Sequence, residues 1–188
     1  TATSGPGGDD YSYRVNVDLN TDRFGAGINH LMIGPETTAD IGFITRTDIR
    51  RTDGNFRFSP RPGILGLRRL DIFSSLQVIT RLDGTLQDWS WGAALNPNWN
   101  SGESLTLYGG LGFNRIDESF ELGNDVEVPA GDYDLWQAFL FANTSSHRPV
   151  VLGTESFVQG TFGGHMVSLN GTLTLRPNAN VGVIARYN

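Results

Sequence analysis

Residues 11–19 read Tyr11-Ser12-Tyr13-Arg14-Val15-Asn16-Val17-Asp18-Leu19, an unbroken alternation of apolar and polar side chains. Successive side chains of a β-strand point to opposite faces of the sheet, so this period of two predicts a strand with one apolar and one polar face. Turn-forming residues 20–23 follow directly, and a second strand is predicted over Phe24–Ile33. The chain therefore opens with a predicted antiparallel hairpin.

The same strand-and-turn pattern continues to the last residues. Asp83-Gly84, between two strand patterns, is the strongest hairpin signal, and Pro60-Arg61-Pro62-Gly63 ends another strand. Irregular composition predicts a flexible loop over 1–10 and a long acidic loop over 117–131. The further strands are predicted at 41–51, 54–59, 70–82, 85–99, 104–116, 133–143, 150–159, 165–175 and 181–187. The prediction is an all-β, antiparallel up-and-down meander of about ten or eleven long strands in one domain, 1–188.

Strand length favours a membrane barrel. Most predicted strands have about 9–14 residues, whereas strands of globular proteins average about 5–6 and membrane strands need about 9–11. No stretch of about 18 apolar residues exists, so no transmembrane helix is expected. The mean hydropathy of −0.23 is compatible with barrel strands, in which lipid-facing residues alternate with polar ones. We therefore expect an outer-membrane-type β-barrel or, since the chain has the character of a fragment, part of one.

Composition excludes several function classes. The chain has no cysteine, which rules out disulfides, thiolate metal sites and a cysteine nucleophile. Its net charge is −6 and it has no basic stripe, so we expect no nucleic-acid partner. The three histidines lack metal-site spacing, and neither a G-x-S-x-G elbow nor a phosphate-binding loop is present. Asp132 and Asp134 could serve glycoside hydrolysis or bind Ca²⁺, but rim acids are commoner. The expectation is no enzyme, no metal and no cofactor.

Two sets of side chains stand out by position. Polar residues opposite the apolar face would line the lumen of a membrane barrel, because a charge facing lipid costs about 2–4 kcal/mol at the midplane. The predicted lumen-facing residues are Arg14, Asn16, Asp18, Arg46, Asp48, Arg50, Arg69, Asp71 and Arg81. Aromatic residues near strand ends suit an interfacial girdle, although such rings could also stack on sugars. The girdle candidates are Tyr11, Tyr13, Trp89, Trp91, Trp99, Tyr108, Tyr133, Trp136 and Tyr187.

Several segments carry a family resemblance. They are Gly8-Asp9-Asp10-Tyr11-Ser12-Tyr13-Arg14-Val15-Asn16-Val17-Asp18, Ile41-Gly42-Phe43, Thr47-Asp48-Ile49-Arg50-Arg51-Thr52, Phe56-Arg57-Phe58-Ser59-Pro60-Arg61-Pro62, Glu118-Ser119-Phe120-Glu121-Leu122 and Val128-Pro129-Ala130-Gly131-Asp132-Tyr133. Together they resemble the C-terminal barrel region of an uncharacterised bacterial family whose N-terminal domain is related to family 9 carbohydrate-binding modules. The resemblance implies an outer-membrane barrel with an appended N-terminal domain. By the same resemblance, we expect this chain to lack that domain and some final strands of the barrel. It brings no catalytic residues with it.

The leading hypothesis is a bacterial outer-membrane β-barrel with a polar lumen that acts as a channel, an anchor or an assembly scaffold. Its expected partners are the lipid bilayer, other subunits of a membrane assembly and, through the absent N-terminal domain, glycans. The alternative is a soluble all-β binding module for a carbohydrate or a small apolar ligand. The two hypotheses differ in which side chains point outward, Val15 in the first and Arg14 in the second.

Overall fold

A computed structural model describes residues 11–37, 46–121, 126–178 and 180–188. Within them the chain is all-β, and no helix there is long and apolar enough to cross a membrane. The strands are β1 Ser12–Asn20, β2 Phe24–Ile33, β3 Ile49–Phe58, β4 Leu67–Arg81, β5 Leu86–Trp99, β6 Ser104–Ile116, β7 Phe120–Glu121, β8 Glu127–Val128, β9 Gly131–Asn143, β10 Val150–Thr161, β11 Gly164–Asn178 and β12 Val181–Tyr187.

The ten long strands form one antiparallel sheet in the order β1-β2-β3-β4-β5-β6-β9-β10-β11-β12. Each long strand pairs with the next long strand along the chain, which is an up-and-down meander, as the alternation predicts. Strands β1 and β12 are the two edges and are not hydrogen-bonded to each other, so the sheet is open.

One pair of predicted strands is wrong. The sequence predicted strands at 41–51 and 54–59, but β3 runs without a break through Thr52-Asp53-Gly54. This turn-like triplet stays extended because Asp53 pairs with Asn29 on one side and Gln77 on the other. Residues 46–48 precede β3 outside any strand, and 41–45 lie outside the described residues.

The predicted long loop over 117–131 contains local structure. Strands β7 and β8 pair with each other as a small separate hairpin, in which Phe120 lies opposite the buried Val128. The hairpin at Asp83-Gly84 is confirmed: Gly84 has a φ of 92°, and its N–H donates to the carbonyl of Arg81 at 3.0 Å. The expected loop over 1–10 lies outside the described residues.

Register sorts the side chains into two faces, because residues directly opposite each other in an antiparallel pair share a face. One face is apolar, and most of its large side chains are exposed. Its members include Val15, Val17, Ile28, Phe56, Leu76, Trp91, Leu95, Leu107, Leu111, Leu140, Leu152, Val167 and Leu169. The opposite face, which we call the polar face, carries Asn, Asp, Arg, Gln, Ser and Gly.

The polar face is the concave one. On β2 its glycines Gly25 and Gly27 are buried while their neighbours Ala26 and Ile28 are exposed. A cavity of about 430 Å³ on this face is lined by six successive strands, from β1 to β6. Few apolar side chains are buried. Within the described residues they are Met32, Ile49, Ile79 and Val128. The sheet thus turns polar groups inward and apolar groups outward.

Glycine permits one close approach on the concave face. A Cβ added at Gly92 would collide with the ring and hydroxyl of Tyr108, whereas one added at Gly109 would meet no atom within 4 Å. We expect Gly92→Ala to lower the free energy of unfolding by about 1–3 kcal/mol through overpacking. Gly109→Ala should be neutral or slightly stabilising, because alanine loses less backbone entropy on folding.

Urea unfolding of the folded protein, followed by tryptophan fluorescence, measures both variants. Equal effects of the two substitutions would contradict the placement of Tyr108 over Gly92.

Candidate functional site

The concave face carries a hydrogen-bond network centred on Asp53. Its carboxylate accepts hydrogen bonds from Asn29 Nδ2 at 2.9 Å, from Gln77 Nε2 at 2.8 Å and from Arg51 Nε at 2.9 Å. The donors come from β2, β3 and β4, so one carboxylate links three strands. A carboxylate with three donors, one of them a guanidinium, is well suited to a partly buried position.

The same arrangement recurs on the strands that follow. Asp71 is buried, with 5% of its surface exposed, and accepts from Arg69 Nε at 2.8 Å and Asn98 Nδ2 at 3.0 Å. Asp88 accepts from Asn114 Nδ2 at 2.7 Å across the β5–β6 pair. Each acid is thus satisfied by a neighbour on the same face, and the wall is polar without buried unpaired charge at these positions.

Register places six of the nine predicted lumen residues together. Arg14, Asn16 and Asp18 lie on the polar face of β1, and Arg69, Asp71 and Arg81 lie on the same face of β4. Their common face is observed; that this face lines a membrane pore stays a prediction.

The other three lumen candidates lie elsewhere. Arg50 pairs with Met32 and Thr80 and shares the face of Tyr13, so its predicted position on the polar face is wrong. The error follows from the misplaced third strand, because β3 begins at Ile49 and puts Arg51 on the polar face. Arg46 and Asp48 precede β3 and border the rim of the sheet.

That rim, where β4 and β6 end, is strongly charged. A cavity of about 730 Å³ is lined by Arg46, Asp48, Arg81, Asp117 and other rim residues. Arg81 Nη2 lies 2.6 Å from Asp117 Oδ2. On the apolar side of the same rim, Arg115 forms an ion pair with Asp132, one of the two acids singled out in the sequence. These charges lie where the apolar band ends.

At the opposite rim, where β1 and β3 end, Arg61 and Asp22 form a bidentate ion pair. Arg61 Nη1 and Nη2 donate to the two oxygens of Asp22 at 2.5 and 2.6 Å. This hydrogen bonding, helped by the charges of Arg61, Arg23 and Arg57, holds the pKa of Asp22 below its ordinary value. The pair therefore stabilises the fold above the ordinary pKa of an aspartate, and this contribution is lost as the pH falls through the lowered pKa.

The girdle candidates divide between the two faces. Tyr13, Trp89, Trp91, Trp99, Trp136 and Tyr187 lie on the apolar face, and Tyr11 stacks on Tyr13 with ring centroids 6.4 Å apart. Tyr108 and Tyr133 lie on the polar face, so their predicted grouping with the other aromatics is wrong. Each tyrosine lies an odd number of residues from the apolar-face residues of its own strand, so its side chain points to the other face.

The apolar-face rings cluster near both ends of the strands. Tyr13 and Trp89 lie near the starts of β1 and β5, at one end of the sheet, and Trp91 and Trp136 lie farther in, each as the sixth residue of its strand. Phe24, Phe58 and Trp99 lie at the other end, where Phe24 and Phe58 stack with centroids 4.8 Å apart. On β5, Trp89 and Trp99 are ten residues apart, about 33 Å along the strand, which a tilt of about 40° reduces to about 25 Å.

Sequence reasoning missed the centre of the polar network. Arg51, Asp53, Asn55 and Arg57 occupy successive polar-face positions of β3. These residues alternate along the chain with Thr52, Gly54, Phe56 and Phe58, which is the period of a continuous strand. The turn-like pair Asp53-Gly54 concealed that strand. In the described ranges no three His, Asp or Glu side chains are grouped so that they could hold a metal ion.

Comparison of the chain with protein-family models, with curated proteins and with solved structures gives no match. The resemblance to the barrel region of proteins with a family 9 carbohydrate-binding-like domain therefore stays a prediction.

Removing the hub carboxylate should destabilise the sheet. We expect Asp53→Ala to cost about 1–3 kcal/mol of unfolding free energy, because Asn29, Gln77 and Arg51 lose their acceptor. Glu155→Ala is the matched control: Glu155 is exposed on the same face and forms none of the ion pairs of the described residues. Urea titration measures the free energy of unfolding of both variants. A loss in Glu155→Ala as large as in Asp53→Ala would argue against Asp53 as the centre of the network.

The Arg61–Asp22 pair gives a second prediction. Arg61→Gln should raise the pKa of Asp22 toward its ordinary value, since the main cause of its lowering is removed. The pKa of Asp83 is lowered chiefly by the backbone N–H of Thr85 and should not change. Carbon-detected NMR titration of the carboxyl groups measures both, and an unchanged Asp22 would show that the ion pair is absent in solution.

Proposed function

We propose that this chain forms the wall of a β-barrel in a bacterial outer membrane, with the apolar face against lipid and the polar face around an aqueous lumen. In this role it acts as a channel, an anchor or an assembly scaffold. The lipid bilayer is its first partner, and other subunits of a membrane assembly are further candidates.

One observation carries the proposal: an exposed apolar band with aromatic rings at both ends and charges beyond one of them. With the tilt of about 40° typical of outer-membrane barrels, the ten residues from Trp89 to Trp99 would span about 25 Å, the height of the apolar band of such barrels. Among the described residues that pair in register, the charged side chains of the apolar face lie within four residues of a strand end; they are Arg50, Arg115, Asp132 and Asp134. This is the depth at which charge costs least in a membrane.

The band is difficult to reconcile with a soluble binding module. In such a module the valines and leucines would fill the concave side, yet Val15 is 53% exposed and Val17 is 65% exposed. The concave side instead holds Asp53, Asp71 and their donors. A water-soluble protein with an apolar face of this size would aggregate.

A bilayer also sets a condition on the edges. Unpaired backbone groups cost several kcal/mol each in lipid, so β1 and β12 must pair with each other or with further strands. The expectation that the chain is not an enzyme stays a prediction and forms part of this proposal.

The test compares two adjacent arginine substitutions on β6. Leu107 lies on the apolar face opposite Leu95, between the levels of Trp89 and Trp99, and is 43% exposed, whereas Thr106 lies on the concave face. Leu107→Arg should weaken folding into lipid vesicles by about 2–4 kcal/mol, and Thr106→Arg should be tolerated. The measurement is the fraction of protein that shows a heat-dependent gel shift after refolding into vesicles.

The soluble alternative makes the opposite prediction. An arginine at an already exposed leucine would then improve solubility in plain buffer. Wild-type protein that stays monomeric without detergent and shows no gel shift would refute the membrane proposal.

A further inference from the structure

The concave face is divided into two halves of different chemistry. On β1, β3, β4 and β5 it carries arginines and aspartates, including the Asp53 and Asp71 networks. On β6, β9, β10 and β11, among the described residues that pair in register, Glu155 is the one charged side chain of this face. Apart from Asn114 of β6, which donates to Asp88, this second, nearly neutral half takes no part in the networks described above.

Three aromatic rings form a row across the neutral half. Tyr108 pairs with Phe139, and Phe139 pairs with Phe157, so the three lie directly opposite one another on β6, β9 and β10. We call them the ring row. Because neighbouring strands are about 4.8 Å apart, the row is about 10 Å long. None of its rings stacks on another of the three, which leaves their faces available to a ligand.

Hydrogen-bonding side chains flank the ring row on both sides. Gln137 and Gln159 pair with each other in the neighbouring row toward one rim, and Glu155 pairs with Asn170 toward the other rim. A cavity of about 500 Å³ includes the ring row, both glutamines and Met166. The site thus combines an apolar floor with neutral polar edges, which is the usual composition of a small-molecule site.

Tyr108 is fixed in this arrangement by its neighbours. Its ring extends over Gly92 of β5, where any side chain would collide with it, and its hydroxyl accepts a hydrogen bond from Gln137 Nε2 at 3.3 Å. The ring therefore lies along the sheet, and its free face is directed into the lumen.

We propose that the ring row binds a neutral oligosaccharide, whose apolar sugar faces stack on Tyr108, Phe139 and Phe157 while its hydroxyl groups hydrogen-bond to Gln137 and Gln159. An ionic ligand would find almost no counter-charge in this half. A purely apolar ligand would bury the side-chain amide of Gln159, which forms no hydrogen bond within the described residues, and this is costly. The inference rests on the proposed barrel, whose lumen the ring row lines, and it names the substrate class.

The experiment is calorimetric titration of the folded, detergent-solubilised chain with maltohexaose and with cellohexaose. Hexagalacturonate and N-phenylnaphthylamine serve as the anionic and apolar probes. At least one neutral hexasaccharide should bind with a dissociation constant of about 1 mM or tighter, and Phe139→Ala should weaken it about tenfold. Phe139→Tyr should retain binding, and Leu140→Ala, at the next residue on the opposite face, should leave it unchanged.

Three results would overturn the inference: no binding of either neutral hexasaccharide, tighter binding of the anionic or apolar probe, or equal losses in Phe139→Ala and Leu140→Ala. The heat-dependent gel shift is recorded on the same samples. Samples that keep the shift but bind no saccharide refute this inference alone, whereas loss of the shift in wild type refutes the barrel itself.

Discussion

The antiparallel hydrogen-bond ladder is the constraint on which the rest of the structure depends. Because residues opposite each other share a face, ten strands with period-two alternation produce one apolar and one polar surface only if every register is correct. A slip of one residue would exchange the two surfaces of a strand. The ladder is maintained even through the irregularities of β4 at Leu67/Arg69 and Ile79/Thr80.

This fold is held together without a large apolar core. The strands are joined laterally by backbone pairing and, on the concave face, by acids that collect donors from neighbouring strands, such as Asp53 and Asp71. On the apolar face, side chains contact neighbours such as Phe24 and Phe58, but no second layer of the described residues covers them, so further stabilisation must come from the surroundings of the sheet. That division of labour, with polar contacts inside and an apolar exterior, is the physical basis of the membrane proposal.

The concave face has two chemical halves, and glycines shape them. Gly92 leaves room for the ring of Tyr108, and Gly25 and Gly27 leave room for the side chains of Arg57 and Asp18. The charged half joins neighbouring strands through the contacts of Asp53, Asp71 and Asp88. In the neutral half, Phe139 and Phe157 line a cavity and stack on no other ring of the described residues; the proposed sugar binding gives recognition to this half and cohesion to the other.

The sequence by itself determined the fold class, the strand order and most strand positions, because alternation and turn residues are local signals. It also identified the six polar-face residues of β1 and β4, since parity along an uninterrupted strand needs no knowledge of neighbours. Only the tertiary structure decided that β3 continues through Asp53-Gly54, because cross-strand partners outweigh turn propensity there. It likewise put Arg50 on the opposite face by fixing where β3 begins, and it brought Tyr108, Phe139 and Phe157 into one row, since register between distant strands is not written in any single strand.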